Sequence, residues 1–446
     1  MTRRYPAYRA SGVEWLGEVP EGWKLGKFRH LFKESTEKIA LEIVGVMLSV
    51  SGYRGIEIKE YDDENRKRTD EDLEGYRIVR PGQLVVNTMW LNYAGLGVSA
   101  HEGHVSPAYR SYDFRGGLEL RYAHHLLRSS IYVDGYTQLL TGVRPNSLQM
   151  SRNDLMDFPV LVPPLPEQRA IAGFLDRETA KIDALVAEQR RLIDLLREKR
   201  QAVISHAVTR GLNPEAPLKP SGIDWLGDVP ERWEVCEAKR FVSILSGFAF
   251  PSTSFSADEN DIPLLRGANV GVGELKWEDT VYWRREPDDG LDMFEIQSGD
   301  LVIGMDRPWI SAGVRVAIVS EKDVPCLLLQ RVASLRTDEA LNKEYLRLQL
   351  SGEAFIHHFL PDMTGVSVPH ISPGQIGSFV IIVPPRDEQD QIVNFIGEAT
   401  SQFDTLTATA QSAITLLQER RAALISAAVT GKIDVRGLVP ELAGAA

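Results

Sequence analysis

Polar and aromatic residues of the kinds that contact nucleic acid follow two short strand-like runs of this sequence. The run 84–86 leads into the segment 87–93, Asn-Thr-Met-Trp-Leu-Asn-Tyr, and the run 301–303 leads into 304–309, Gly-Met-Asp-Arg-Pro-Trp. Asn, Asp and Arg side chains can read the edges of bases, and Trp and Tyr can stack on bases or wedge between them. The pattern predicts two DNA-contacting loops, although turns with aromatic residues anchored in the core would show the same residue types.

A second pair of matching segments lies further along, at 141–147 (Thr-Gly-Val-Arg-Pro-Asn-Ser) and 364–370 (Thr-Gly-Val-Ser-Val-Pro-His). Their small residues let the backbone approach a partner closely, and their polar residues could hold phosphates or bases, but an ordinary loop remains an open alternative. With four further polar residues of the variable regions, the predicted DNA-binding residues are Asn87, Thr88, Trp90, Asn92, Tyr93, Arg110, Arg144, Asn146, Ser147, Arg266, Asn269, Asp306, Arg307, Trp309, Arg331, Thr364, Ser367 and His370.

The sequence lacks the common catalytic motifs and offers only weak metal-binding patterns. The sequence has no Gly-x-x-x-x-Gly-Lys-Ser/Thr phosphate loop, no Gly-x-Gly-x-x-Gly and no Gly-x-Ser-x-Gly elbow. The histidines that lie close together in sequence are His101 and His104 and the adjacent pairs at 124–125 and 357–358, without a cysteine or a third ligand nearby. This favours solvated or hydrogen-bonded histidines over a metal site. We therefore predict a protein that is not an enzyme, with no catalytic residue and no metal.

Bulk composition limits the class of protein. The chain has 446 residues, 43% hydrophobic and 25% charged, which is ordinary for a globular protein of two to four domains. Its two cysteines suit a reducing compartment, no apolar run approaches the roughly 20 residues of a membrane span, and the N-terminus lacks the apolar core of a secretory signal. We expect a cytoplasmic protein with no membrane partner.

Charge is distributed unevenly over a net −12. Residues 1–220 carry 31 Lys and Arg against 29 Asp and Glu, whereas residues 221–446 carry 19 against 33. Phosphate contacts call for positive charge, so the balance argues mildly against a nucleic-acid binder. Any binding of DNA must depend on local patches or on a partner that supplies positive charge.

The sequence is an internal repeat. Residues 11–23 return as 221–233, a shift of 210, and the Val-Pro-Pro and Glu-Gln of 162–168 return within 383–389, a shift of 221. Between these blocks the two halves diverge almost completely. The repeated tryptophans predict structural anchors at the start of each half, at Trp15, Trp23, Trp225 and Trp233.

A long amphipathic helix follows each divergent region. Between Pro166 and Gly211 the only glycine is Gly173, and at about 1.5 Å per residue this helix would be about 65 Å long. Steps of four and three residues, with Glu178, Gln189 and Lys199 as polar members of the series, predict a heptad seam in the first copy. Its apolar positions are Ile171, Leu175, Ile182, Leu185, Leu192, Leu196 and Val203, and those of the second copy are Ile392, Ile396, Phe403, Leu417 and Leu424. The simplest partner for each apolar stripe is the other copy, which predicts an antiparallel pair.

These blocks resemble a known family. Trp-Leu-Gly-Glu-Val-Pro-Glu-x-Trp at 15–23, Pro-Pro-Leu-Pro-Glu-Gln-Arg-x-Ile at 163–171 and a second round of both are similar to the specificity subunit of type I restriction-modification systems. The resemblance runs from Tyr5 to about Val435. The second copy departs from it, because residues 385–389 read Pro-Arg-Asp-Glu-Gln. The acidic stretch 251–300, with 4 Lys and Arg against 12 Asp and Glu, is also unusual for a region that reads DNA.

The resemblance implies an α+β fold with two mixed α/β target-recognition domains separated by two long helices in an antiparallel coiled coil. The expected domains are 1–160, a central helix at 161–212, a second recognition domain at 213–383, a C-terminal helix at 384–434 and a tail at 435–446. The resemblance also implies a non-catalytic subunit that assembles with two methyltransferase subunits and with restriction (translocase and nuclease) subunits. S-adenosylmethionine would be bound by the methyltransferases and not by this chain.

The predicted function is recognition of a bipartite, asymmetric site in double-stranded DNA, with each domain reading one half and the coiled coil setting the spacer and docking the methyltransferases. Two divergent heads on one repeated frame fit this independently of the resemblance. The alternatives are a coiled-coil adaptor without sequence-specific DNA binding and, from another class, an enzyme with an unusual site.

Overall fold

The computed structural model describes residues 4–40, 43–61, 73–142, 148–223, 226–363 and 369–438. Contacts group the chain into two units, Met1–Arg191 with Ala410–Ala446 and Leu192–Thr409. Each unit therefore holds one of the two divergent regions, called the first and second head below, with part of each long helix. The fold is mixed α/β, as the sequence predicts.

The first head begins with a β-hairpin and continues into two four-stranded sheets. Its strands are β1 Tyr8–Ala10, β2 Glu18–Pro20, β3 Lys24–Lys27, β4 Phe32–Glu34, β5 Val46–Ser51, β6 Gly55–Ile58, β7 Arg77–Val79, β8 Leu84–Asn87, β9 Leu96–Val98, β10 Gly103–Val105, β11 Tyr109–Phe114 and β12 Pro159–Val162. Its helices are α1 Phe28–Leu31, α2 Leu120–Arg128, α3 Ser130–Thr137 and α4 Arg152–Asp157, and the long helix α5, Leu165–Arg210, follows.

The second head repeats this plan with different residues. Its strands are β13 Leu218–Pro220, β14 Asp228–Pro230, β15 Glu234–Glu237, β16 Val242–Ser246, β17 Ile262–Leu265, β18 Tyr282–Trp283, β19 Glu295–Ile296, β20 Leu301–Gly304, β21 Trp309–Ile310, β22 Gly313–Val314, β23 Val316–Ile318, β24 Cys326–Leu328, β25 Val332–Thr337 and β26 Val380–Val383. Its helices are α6 Lys343–Leu350, α7 Glu353–Met363, α8 Pro373–Ser378 and the long helix α9, Arg386–Val429.

Sheet topology shows that the divergent heads share one architecture. The order β4-β11-β8-β9 in the first head matches β16-β25-β20-β23 in the second, and β6-β5-β10-β7 matches β18-β17-β24-β19. Each sheet of the second kind contains one parallel pair, β5 with β10 and β17 with β24, among antiparallel neighbours. The two heads therefore place strands β8 and β20, which lead into the candidate loops, at the same position of equivalent sheets.

The apolar stripe of α5 differs in detail from the predicted heptad seam. Leu185 and Leu192 are 46% and 41% exposed, whereas Val186 and Ile193 are 4% and 7% exposed, so these two predicted seam positions are wrong. The steps between the buried positions average close to 3.6 residues, the period of a straight helix, so the stripe drifts away from a strict 3.5-residue seam. The seam is confirmed by burial at Ile171, Leu175, Ile182 and Leu196, and Val203 is half-buried.

The two long helices run antiparallel, as the sequence predicts. In the first unit, Arg421 of α9 pairs with Asp183 in the first half of α5, with Nε 2.9 Å from Oδ1. In the second unit, Arg200 near the end of α5 pairs with Asp404 of α9 at 3.7 Å. On α9, Ile392 and Ile396 are buried, and Phe403, Leu417 and Leu424 are half-buried. Asp183 and Asp404, like Arg200 and Arg421, are 221 residues apart, so the two ion pairs are copies of one another.

The repeated Glu-Gln dipeptide attaches each head to the start of the helix that follows it. Gln168 is fully buried, and its side chain accepts from the amide of Glu119 (2.7 Å) and donates to the carbonyls of Gly117 (3.0 Å) and Pro163 (2.8 Å). The preceding residue, Glu167, accepts a hydrogen bond from the indole of Trp23 at 2.9 Å. A buried amide that satisfies three backbone groups explains why this dipeptide is needed here.

The second copy makes the same contacts with its own residues. Gln389, also fully buried, accepts from the amide of Asn342 (2.7 Å) and donates to the carbonyls of Ala340 and Pro384. Trp233 donates to Glu388 at 3.0 Å. The looser sequence match at 385–389 therefore preserves the two residues that bear the contacts. Trp15, which stacks on Phe158 at 5.4 Å, Trp23 and Trp233 act as the predicted anchors, and Trp225 lies outside the described residues.

Each head also contacts the end of the other long helix. The hydroxyl of Tyr122 in the first head lies 3.3 Å from the carbonyl of Val429, and that of Tyr345 in the second head donates to the carbonyl of Val208 at 3.0 Å. The first core accordingly includes Ile425, Ala428 and Val429, and the second includes Ile204 and Val208. Carbonyls at a helix C-terminus have no partner within the helix, so a buried tyrosine hydroxyl satisfies one in each copy.

Candidate nucleic-acid interface

The first candidate loop, residues 87–95, begins where β8 ends. Asn87 is 5% exposed, and its side-chain oxygen accepts from the amide of Met89 at 3.1 Å. Thr88 is also buried, and its carbonyl accepts from the amide of Met150. These two predicted DNA-binding residues therefore shape the loop from within, because the side-chain oxygen of Asn87 binds the loop backbone and the carbonyl of Thr88 binds a neighbouring segment.

Aromatic residues form the outer surface of this loop. Trp90 and Tyr93 are 55% and 59% exposed, and their rings lie 5.8 Å apart at 60°. The side-chain oxygen of Asn92 is buried without a hydrogen-bond partner. Ala94 has a positive φ of 54°, and a side chain at Gly95 would lie 2.5 Å from the carbonyl of Trp90, so the turn is tight. An exposed aromatic pair beside an amide is suited to contact with base edges and base faces.

A cluster of three arginines surrounds Glu34 in the same head. The carboxylate of Glu34 lies 3.0 Å from Arg152, 3.5 Å from Arg110 and 3.7 Å from Arg77. Burial, and then the neighbouring Arg110, lowers the pKa of Arg77, yet three guanidinium groups against one carboxylate leave net positive charge. Arg110 is a predicted DNA-binding residue, whereas Arg77 and Arg152 were missed because only the fold brings these distant positions together. Guanidinium groups at a surface suit phosphate contacts.

In the second head, an acidic side chain of the loop after β20 contacts a basic and an imidazole side chain from two other segments. The Oδ1 of Asp306 lies 2.7 Å from the Nδ1 of His370 and 3.4 Å from Arg331. Arg307 and Arg331 have positive φ values of 45° and 72°, a backbone region that residues other than glycine rarely adopt. Such strain persists only where surrounding contacts impose it and often marks functional positions.

Three arginines of the second head line one concave site. Arg307, Arg315 and Arg331 wall a cavity of about 410 Å³. Arg315, which sequence reasoning missed, donates to the carbonyls of Val270 (2.9 Å) and Asp306 (3.0 Å), and burial lowers its pKa. The site gives this acidic head a local concentration of positive charge, which is the kind of patch that DNA contact requires.

Three other predicted residues of the second head have internal contacts. Asn269 is 1% exposed and bonds to the amide of Arg266 and the carbonyl of Lys276. Arg266 donates to the carbonyl of Asp279, and Trp309 is half-buried against the core. Their contacts are those of residues that hold the fold. Arg144, Asn146, Ser147, Thr364 and Ser367 lie outside the described residues.

Much of the acidic stretch 251–300 is engaged within the second head. Arg285 pairs with Asp289 at 2.8 Å, Asp292 at 2.5 Å and Glu295 at 2.9 Å. Arg336, outside the stretch, pairs with Asp300 at 2.8 Å. Part of the local negative charge is thus balanced by intramolecular partners.

Histidines do not assemble into a metal site in the described part of the chain, where no group of three or more potential ligands occurs. His104 is buried with Nδ1 3.0 Å from the carbonyl of Val44, and His125 lies 2.8 Å from Asp176. Burial lowers the pKa of His124 to about 3, so this ring is neutral at physiological pH.

None of the described helices has both the length and the apolar character of a membrane span.

The chain is similar in sequence to curated proteins of one kind. No protein-family model matches the chain. It is 28% identical over 281 residues to the type I restriction enzyme MjaVIII specificity subunit of Methanocaldococcus jannaschii, a match that covers 62% of each chain. It is 33% identical over 189 residues to the type I restriction enzyme EcoAI specificity subunit of Escherichia coli, covering 42% of this chain and 32% of that one.

The resemblance to type I specificity subunits is confirmed. The chain spans less than two thirds of the length of these two curated relatives. Its fold resembles that of a chain from a structure on complex assembly and conformational transition of the type I R-M system, with a TM-score of 0.69, 15% identity and coverage of 93% of this chain and 99% of that one. The HsdS subunit from Thermoanaerobacter tengcongensis gives a TM-score of 0.50 at 17% identity, covering 93% and 98%.

The chain concentrates its repeated residues in the frame and its differences in the regions between the repeated blocks. The equivalent strands β8 and β20 lead into an exposed aromatic pair in the first head and into an arginine-lined cavity in the second. Matching frames with unlike loop chemistry are what a molecule needs to contact two different partner sequences.

Proposed function

We propose that this chain is the non-catalytic DNA-recognition subunit of a type I restriction-modification complex, in which each head reads one half of a bipartite, asymmetric site in double-stranded DNA. The observation that carries the proposal is the identical sheet order of two heads whose equivalent loops differ in chemistry. The curated relatives, which are named specificity subunits of type I restriction enzymes, support it.

The proposal includes partners that supply what this chain lacks. Two methyltransferase subunits would use S-adenosylmethionine and dock on the helix pair, and restriction subunits would join the assembly. Because the chain carries a net −12, partners would also provide much of the positive charge that holds the DNA phosphates. Isolated, the chain should bind DNA weakly and with a small salt dependence compared with the assembly.

The decisive experiment is the methylation motif in cells that contain this chain and a cognate methyltransferase. We expect two short unequal sequences separated by a spacer of fixed length. A single continuous palindrome would contradict the proposal, and complexes without sequence preference in gel shifts would favour an adaptor. Exchanging residues 24–160 for the matching region of another specificity subunit should change one half of the motif and leave the other half unchanged.

The helix pair gives a second, independent test. Inserting seven residues, about two helical turns, into α5 and the same length at the matching point of α9 should change the spacer and leave both half-sequences intact. A matched control inserts seven Gly and Ser residues into the exposed 212–217 segment before β13, which should leave the spacer unchanged. An unchanged spacer in the helix variant would refute the role of the helices as a ruler.

Individual loop residues test where the bases are read. Tyr93→Ala in the first head and Arg307→Ala in the second should each relax one or two base positions, at a cost of about 1–3 kcal/mol per lost base contact. Lys24→Ala, on the exposed edge strand β3, is a control of similar exposure. If both loop variants kept the original motif and affinity, the loops would be structural turns and not contact sites.

A further inference from the structure

The turn between β5 and β6, residues 51–55, packs directly against the first candidate loop. The guanidinium group of Arg128, on α2, donates to the carbonyls of Ser51 (3.3 Å) and Gly52 (2.9 Å) in the turn and to that of Ala94 (3.1 Å) in the loop. A side chain at Gly52 would lie 2.6 Å from the carbonyl of Tyr93. A single half-buried cation therefore joins the turn to the loop.

The same turn reaches both long helices through Tyr53. The phenol donates to the Oδ1 of Asp183 on α5 at 2.6 Å, and the guanidinium group of Arg421 on α9 lies 4.7 Å from the centre of its ring. Arg421 also binds Asp183 through two contacts, at 2.9 and 3.3 Å. One residue from the head thus joins an ion pair that links the two helices.

The repeat provides an internal comparison for this junction. The copy of the ion pair in the second unit, Arg200 with Asp404, is looser, at 3.7 Å, and its side chains are 44% and 69% exposed against 19% for Arg421 and 39% for Asp183. Among the described residues, none donates a hydrogen bond to Asp404. Within the described parts of the two heads, a tyrosine joins the duplicated pair in the first head alone.

A cavity lies between the loop and the long helices beside this junction. Tyr53, Tyr93, Arg128, Asp183 and Arg421 line one cavity of about 870 Å³. Close packing therefore does not fix the back of the loop against the helices at this point. Directed polar contacts from the turn support the loop on this side, so losing them would change the placement of the loop without opening the core.

We propose that Tyr53, Asp183 and Arg421 are positioning residues for the first recognition loop, so that base discrimination by the first head depends on the helix pair while that of the second head does not. This inference rests on the proposed function. The chain of contacts runs from the helices through Tyr53 to the turn, and from the turn through Arg128 to the loop that carries Tyr93. Discrimination is the affected quantity because the loop keeps its residues and loses only its placement.

The test uses the full chain assembled with its methyltransferase subunits. Methylation rates are measured on duplexes with single-base changes in either half-site, and the half that responds to Tyr93→Ala identifies the one read by the first loop. Tyr53→Phe removes the hydrogen bond to the carboxylate, and Asp183→Asn removes the charge that strengthens this bond and pairs with Arg421. Each should lower discrimination in that half about fivefold or more and leave the other half unchanged. Asp183→Glu, which keeps a charged carboxylate as the acceptor, should retain most of the discrimination.

Asp404→Asn is the matched control, because it breaks the copied ion pair, and it should leave discrimination in both halves intact. Equal relaxation of both halves by Tyr53→Phe, or unchanged discrimination with normal unfolding temperature, would overturn the coupling. Relaxation by Asp404→Asn comparable to that by Asp183→Asn would overturn the asymmetry. An unmodified assembly without bipartite preference would instead contradict the proposed function itself.

Discussion

Replacing Gln168 by alanine should destabilise the first unit by an amount that its contacts define. The substitution removes three hydrogen bonds at a fully buried position, and it leaves the amide of Glu119 and the carbonyls of Gly117 and Pro163 without that partner. At roughly 1 kcal/mol net for each bond, with a further penalty for the buried groups left unsatisfied, the expected loss is about 3–5 kcal/mol. That is a large share of the stability of a typical domain.

Two measurements check this magnitude and its location. Urea unfolding of the full chain should show a lower midpoint for the transition of the first unit. Hydrogen exchange should show faster exchange at the amide of Glu119, while the amide of Asn342, held by Gln389 in the second unit, keeps its protection. The reciprocal variant Gln389→Ala should reverse this pattern, because its three contacts have nearly the same lengths.

The exposed neighbour Arg169 supplies the control, since Arg169→Ala on the same helical turn should change stability by no more than about 0.5 kcal/mol. A loss below about 1 kcal/mol for Gln168→Ala, or faster exchange at both amides in either variant, would refute the reasoning. In that case the buried glutamines would not be the attachments between head and helix.

Three further predictions concern other sites. Trp233→Phe removes the 3.0 Å indole bond to Glu388 and should lower stability by about 1.5–3 kcal/mol in denaturant titrations, whereas loss below 0.5 kcal/mol would contradict an anchoring role. Burial raises the pKa of the Cys236 thiol to about 11, so alkylation followed by mass spectrometry should remain slow at pH 8 and accelerate as the pH approaches 11. Asn87→Ala loses the bond to the Met89 amide and should destabilise the loop by about 1 kcal/mol, seen as faster exchange at that amide and not at the sheet.

The frame was predictable because its signals are local or repeated. Sequence copies at 11–23 and 221–233 indicated equivalent structures, and burial of Trp23 and Trp233 confirms anchoring by both copies. Helix length and antiparallel pairing followed from apolar periodicity. The exact seam positions could not be predicted in this way, because steps of three and four residues fit both a 3.5-residue and a 3.6-residue period until packing selects one. For this reason Leu185 is exposed and Val186 is buried.

The candidate interface was harder to predict because its groups come from distant segments. Residue type alone marked Asn87 and Tyr93 as equivalent candidates, yet one is 5% and the other 59% exposed. The arginines around Glu34 and the Tyr53–Asp183 contact join positions more than 40 residues apart, with no periodic signal between them. Such placements depend on sheet register and on the path of the chain, which no short window of sequence encodes.

The contact of each head with the opposite helix has a consequence for biosynthesis. The first core needs Ile425, Ala428 and Val429, whereas the second unit is a continuous stretch from Leu192 to Thr409. At about 5–20 residues per second, the ribosome needs on the order of 10–40 s after residue 191 before the closing segment emerges. The unit translated second can therefore complete its core before the unit translated first, and the nascent first head exposes an apolar surface during that interval.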